Sequence, residues 1–135
     1  QATLNPTSDA EVFAEELEYD FGSVSMAAGK VSHQFKIKNS GSGKMTLTKL
    51  YTSCMCTSAS LKTSSMTWGP FGMQGHGFIP KIKEVFDAGE EAIIEVIFDP
   101  AAHGPAGVGK IERVVYLEND NGNPLGLKIS AMVTP

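Results

Sequence analysis

Val31-Ser32-His33-Gln34-Phe35-Lys36-Ile37-Lys38 alternates in character along its whole length. Successive side chains of an extended chain point to opposite faces, so Val31, His33, Phe35 and Ile37 share one side and Ser32, Gln34, Lys36 and Lys38 share the other. A period of two with one apolar face predicts a half-buried β-strand. Asn39-Ser40-Gly41-Ser42-Gly43 then supplies a strong turn.

The same pattern extends in both directions. Upstream, Leu17, Tyr19 and Phe21 alternate with Glu16, Glu18 and Asp20. Downstream, Met45 to Tyr51 reads as a strand that delivers the chain to Cys54. Ala92, Ile94, Val96 and Phe98 lie on one face of the next clear strand, and Ile93 and Ile97 on the other, which places it centrally in a sheet. Ile111 to Leu117 and Leu125 to Val133 are the last two strands, joined by the turn Asn119–Pro124. No amphipathic helix is evident. Short strands with turns rich in Gly, Asn and Pro predict an all-β protein, an immunoglobulin-like β-sandwich of about seven strands. Residues 1–10 read as a flexible tail and 11–135 as a single domain; 135 residues suit one core.

Residues 57 to about 80 show neither period and are expected to form one long inserted loop. This segment and its approach concentrate unusual chemistry. Cys54 and Cys56 are both cysteines of the chain, and Met55, Met66, Trp68, Met73 and His76 follow. Two cysteines one residue apart close no useful loop, so a structural disulfide is a poor explanation. On an extended backbone their thiols project to one side, where they can share an ion.

Thiolates and thioethers favour Cu(I), with zinc the alternative where an imidazole joins. The predicted ligands are Cys54, Cys56 and His76, with Met73 or Met66 as a further sulfur donor, and Trp68 as a lid over the ion. His33, on an apolar strand face, reads as a core or boundary residue, and His103 as an exposed loop residue. The zinc-ribbon pattern of paired Cys-x-x-Cys is absent. A structural or protein-interaction module without metal is the main alternative. A dithiol redox centre is a further one, opposed by the spacing of i and i+2 Cα atoms in a strand, near the roughly 6.8 Å limit for a bridge. A cysteine enzyme has the least support, because no residue is apparent to orient a base; no enzymatic activity is expected.

The net charge of −4, with 11 basic residues scattered along the chain, excludes a nucleic-acid partner. No apolar run reaches the roughly 18 residues of a membrane span. The expected partners are a metal ion and, in the alternative reading, another protein.

Several phrases resemble one family. They are Glu18–Val24, Phe35–Gly41, Thr52-Ser53-Cys54-Met55-Cys56-Thr57, and Ala88–Glu91 leading into Ile97–Pro100. Together they resemble a bacterial family of uncharacterised, mostly exported domains with a hydin-like immunoglobulin fold, over roughly residues 16–133. The resemblance implies the sandwich and an extracytoplasmic location, periplasmic or secreted after signal-peptide removal. Two departures stand out: Met55 lies where the family usually has Gly, and the link from Thr57 to the Ala88 turn is longer than usual.

Overall fold

The computed structural model describes residues 10–73 and 80–135. Among these, ten strands form two five-stranded sheets: β1 (Val12–Ala14), β2 (Glu18–Ser25), β3 (Val31–Asn39), β4 (Met45–Thr52), β5 (Thr57–Lys62), β6 (Thr67–Phe71), β7 (Glu84–Phe86), β8 (Glu91–Phe98), β9 (Gly109–Asn119) and β10 (Leu125–Thr134). One sheet has the order β1-β3-β8-β5-β6 and the other β2-β10-β9-β4-β7. All pairings are antiparallel except β2 with β10.

The two inner faces supply the core. Phe35 and Ile37 of β3, Ile94 and Val96 of β8, and Leu61 of β5 are fully buried, as are Leu47 and Leu50 of β4, Val115 of β9 and Ile129 of β10. The alternation that begins in β3 is therefore the pattern of one sandwich wall. β8 sits between β3 and β5, the central place its two-sided apolar character predicts. Asn39 locks the end of β3. Its Nδ2 donates to Gly43 O (2.8 Å) and Phe86 O (2.9 Å), and its Oδ1 accepts from Glu11 N and Gly41 N, both at 3.1 Å.

The sandwich agrees with the sequence reading, with three differences. Residues 57–71 are not a loop but the hairpin β5–β6. In β5 only Ala59 and Leu61 are apolar, too few to display a period. Gly69 also disguised β6. It has φ +102°, and a Cβ there would come 2.9 Å from Ala59 O, so the position suits glycine even though it lies within a strand. Second, β1 was missed, because three residues are too short to display a period. Third, Leu17 lies before β2 and is exposed rather than half-buried. His33 is the boundary residue expected: its ring stacks on Tyr19 at 3.6 Å and its Nε2 meets Glu16 Oε1 at 2.7 Å.

Candidate metal centre

The site is built where β4 of one sheet hands the chain to β5 of the other. The crossing takes four residues, Ser53 to Cys56. Thr57 N donates to Cys54 O (3.1 Å), closing a tight turn around Met55 and Cys56. Thr52 Oγ1 lies 2.9 Å from Cys54 O and 2.8 Å from Thr57 O, so one buried hydroxyl braces both ends of the turn. Ser53 fastens it to β9: its N donates to Val114 O and its Oγ accepts from Val114 N, both at 2.9 Å. Cys56 O accepts from Asp99 N at 2.8 Å, which ties the turn to the end of β8.

That last bond brings in the loop after β8. Asp99 and Pro100 end the strand; Asp99 Oδ1 accepts from Ala101 N (3.0 Å) and turns the chain back. His103 is thereby set over the cysteines, with Nε2 3.2 Å from Cys54 Sγ. Gly107 permits the close packing beneath it, since a Cβ at that position would lie 3.2 Å from His103 Cβ. On the opposite side β9 contributes Arg113, two residues from the β4–β9 pair Thr52–Val115.

The two thiols face each other. Cys56 Sγ donates to Cys54 Sγ at 2.6 Å, and Cys56 N also donates to Cys54 Sγ at 3.3 Å. Both cysteines are buried and free. They are not equivalent. Cys54, Ser53, Met55, Met73, His103, Glu112 and Arg113 line an open depression, whereas Cys56 lies behind Cys54 against Thr57 Oγ1 at 3.3 Å.

Burial alone would raise the Cys54 pKa, but hydrogen bonds from Cys56, His103, the Cys56 backbone and Arg113 outweigh it and lower the thiol to about 7. Cys56 moves the other way, raised by burial and by the proton it shares with Cys54. For Arg113, burial disfavours the charge, yet the two sulfurs beside it hold it more firmly protonated. Its Nη1 donates to Glu112 O at 2.8 Å, while its buried Nε has no hydrogen-bond partner.

Cys54 Sγ, Cys56 Sγ and a ring nitrogen of His103 all lie within 4.8 Å of one another, close enough to hold a metal ion. The predicted ligands fare unequally. Cys54 and Cys56 come together as expected. Met73 reaches the same depression, because Thr52 N donates to Gly72 O (3.0 Å) and Met73 bridges to Thr52. His76 lies outside the described residues.

Met66 is not in this group. It closes the far turn of the β5–β6 hairpin, where its carbonyl accepts from Thr63 N, six residues of strand from Cys56, or roughly 20 Å. Trp68 is not a lid: it pairs with Leu61 and donates Nε1 to Glu84 Oε1 at 2.8 Å, five residues along β5 from Cys56. His103 is the residue the sequence reading set aside. It is an exposed loop residue as expected, yet it also touches Cys54. The only local signal was the turn sequence Asp99-Pro100 just before it, which says that the chain reverses but not what it meets.

Residues 12–73 match the family described as Protein of unknown function (DUF1573). This span includes Ser53–Thr57, so the resemblance to an uncharacterised domain family holds over the part of the chain that carries the cysteines. No curated protein matches the chain. Among solved structures, a protein of unknown function from Porphyromonas gingivalis W83 is similar with TM-score 0.64 and 14% identity, over 97% of this chain and 49% of that one. The ASH / PapD-like domain 7 of human CEP192 gives TM-score 0.56 and 10% identity, over 99% and 94%. The secreted serine protease VesC from Vibrio cholerae gives 0.55 and 11%, over 97% and 25%. At these identities the likeness concerns the immunoglobulin-like, PapD-like fold alone. The chain spans about half the length of the Porphyromonas protein. No helix among the described residues is long and apolar enough to cross a membrane.

Proposed function

We propose that this domain binds one soft metal ion, Cu(I) in preference to zinc, through Cys54, Cys56 and His103. The observation that carries the reading is the convergence of two sulfurs and an imidazole nitrogen within 4.8 Å at the end of the sandwich. Two sulfurs and one nitrogen suit Cu(I), whereas structural zinc sites almost always use four ligands. Charge supports the same ion: two thiolates beside the Arg113 guanidinium carry a net single negative charge, which a monovalent cation neutralises. The Met73 thioether, on the same depression, is an additional soft donor.

Binding requires a small adjustment. Two sulfurs each about 2.3 Å from a shared three-coordinate ion, at an angle of about 120°, are about 4.0 Å apart. The thiols at 2.6 Å must therefore separate; rotation of the Cys54 side chain towards the open depression achieves this without moving the turn. An extracytoplasmic setting is part of the proposal, supported by the resemblance to a mostly exported family.

The test is competition for Cu(I) between the reduced domain and a chromophoric chelator. One ion per chain is expected, with the affinity lost in a Cys54→Ser, Cys56→Ser double variant. Unchanged affinity in that variant refutes the proposal.

A further inference from the structure

Beyond ion binding, and independent of it, we infer that Cys54 and Cys56 form a thiol–disulfide exchange centre, with Cys54 as the thiol that meets an external disulfide and Cys56 as the one that resolves it. Three observations converge. First, the obstacle to a bridge between i and i+2 is strand geometry, and the chain here is not a strand. The Thr57 N to Cys54 O bond curls residues 54–57 into a turn, which shortens the Cα separation below that of extended chain. The sulfurs already face each other at 2.6 Å with nothing between them.

Second, the turn is held from outside. The Thr52 hydroxyl, the Ser53 side chain and the Asp99 N–H all bind it, so either redox form keeps its place between the sheets. Third, the pair is asymmetric in the way that exchange requires. Cys54 lines the open depression with Met73, His103 and Arg113, while Cys56 lies behind it. A disulfide entering from solvent meets Cys54 first.

Cys54 Sγ, as thiolate, attacks one sulfur of an external disulfide RSSR. A Cys54–S–SR bond forms, the RS–SR bond breaks, and the first RS⁻ leaves, taking a proton from solvent. Cys56 Sγ loses its proton to solvent and attacks Cys54 Sγ: the Cys54–Cys56 bond forms, the Cys54–SR bond breaks, and the second RS⁻ leaves and takes a proton from solvent. Overall two cysteine thiols and RSSR give the Cys54–Cys56 disulfide and two RSH, with two electrons passing to the external disulfide. The positive Arg113 guanidinium stands beside the sulfur on which negative charge moves. RSSR is a small or protein disulfide, and a flexible one suits the open depression.

The experiment uses chelator-washed, fully reduced protein, so that its result does not depend on metal. The protein is equilibrated with oxidised and reduced glutathione at a series of ratios, quenched by alkylation and read by intact mass and peptide mapping. The expected result is loss of two hydrogens per chain with both cysteines protected from alkylation. A Cys56→Ser variant should instead accumulate glutathione on Cys54, and a Cys54→Ser variant should react far more slowly. Two free thiols persisting in excess oxidised glutathione overturn the inference, as does wild-type protein that stops at a glutathione adduct. If a serine variant fails to fold, rapid alkylation of wild type during the reaction supplies the assignment: the transient adduct must map to Cys54, and an adduct on Cys56 overturns the order of attack.

Discussion

Replacing His103 with alanine separates the residues that the fold brings together from those that only the sequence suggested. Two effects add. His103 is one of the groups that lower Cys54 to about 7, so at pH 7 about half of Cys54 is thiolate before any ion arrives. If the variant made Cys54 a tenfold weaker acid, that fraction would fall to about a tenth, costing about fivefold in apparent affinity, since the ion must displace the proton. Losing the imidazole as a donor costs at least the 10- to 100-fold measured when groups that merely support metal ligands are removed.

The sum is about 50- to 500-fold at pH 7, or about 2.3–3.7 kcal/mol. The two parts are separable by pH. Near pH 10 Cys54 is largely ionised in either protein and the fivefold part disappears, leaving the loss of the donor. Competition titration of Cu(I) at several pH values reads both. Met66→Leu serves as the matched control, because Met66 lies at the far turn of the β5–β6 hairpin, and should leave affinity within about twofold, a difference too small to represent a lost ligand. Equal losses in the two variants, or a His103 effect that vanishes entirely at high pH, would refute the assignment of His103 as a ligand.

Other expectations follow from particular contacts. Alkylation of metal-free protein by iodoacetamide should show a Cys54 rate with a midpoint near pH 7, the rate rising with pH because the thiolate is the reactive form; a midpoint near 9 would contradict the hydrogen bonds drawn to that sulfur. Trp68→Phe removes the donor to buried Glu84 and should cost about 1–3 kcal/mol in urea unfolding while leaving Cu(I) affinity unchanged, whereas a tryptophan covering the ion would show the reverse. Asn39→Ala removes four hydrogen bonds from a fully buried position and should destabilise the domain by about 3 kcal/mol or more; a urea midpoint indistinguishable from wild type would show that Asn39 does not hold the two strand ends.

The sandwich was legible in the sequence because its walls repeat one simple rule. β3 alternates cleanly, β8 is apolar on both faces as a central strand is, and their turns carry the residues that turns require. β5 and β6 escaped because Ser, Thr, Gly and Pro dominate them, and pairing, of β5 with β8 and of β6 with β5, rather than local pattern makes them strands. The site was half legible. Cys54 and Cys56 are neighbours in sequence, so their meeting needs only a local turn. His103 stands 49 residues from Cys54 and reaches it because β8 pairs with β5 and ends beside the turn. Nothing local encodes that meeting, whereas Met66 and Trp68 looked closer in sequence and were carried away along the hairpin.

X-ray absorption at the copper edge, on protein loaded with one equivalent of Cu(I), reads the ligand set itself. Binding through Cys54, Cys56 and His103 predicts two sulfurs at about 2.3 Å and one nitrogen at about 2.0 Å from the ion, with the nitrogen missing from the His103→Ala protein. A shell without sulfur, or a nitrogen that persists in that variant, would contradict it.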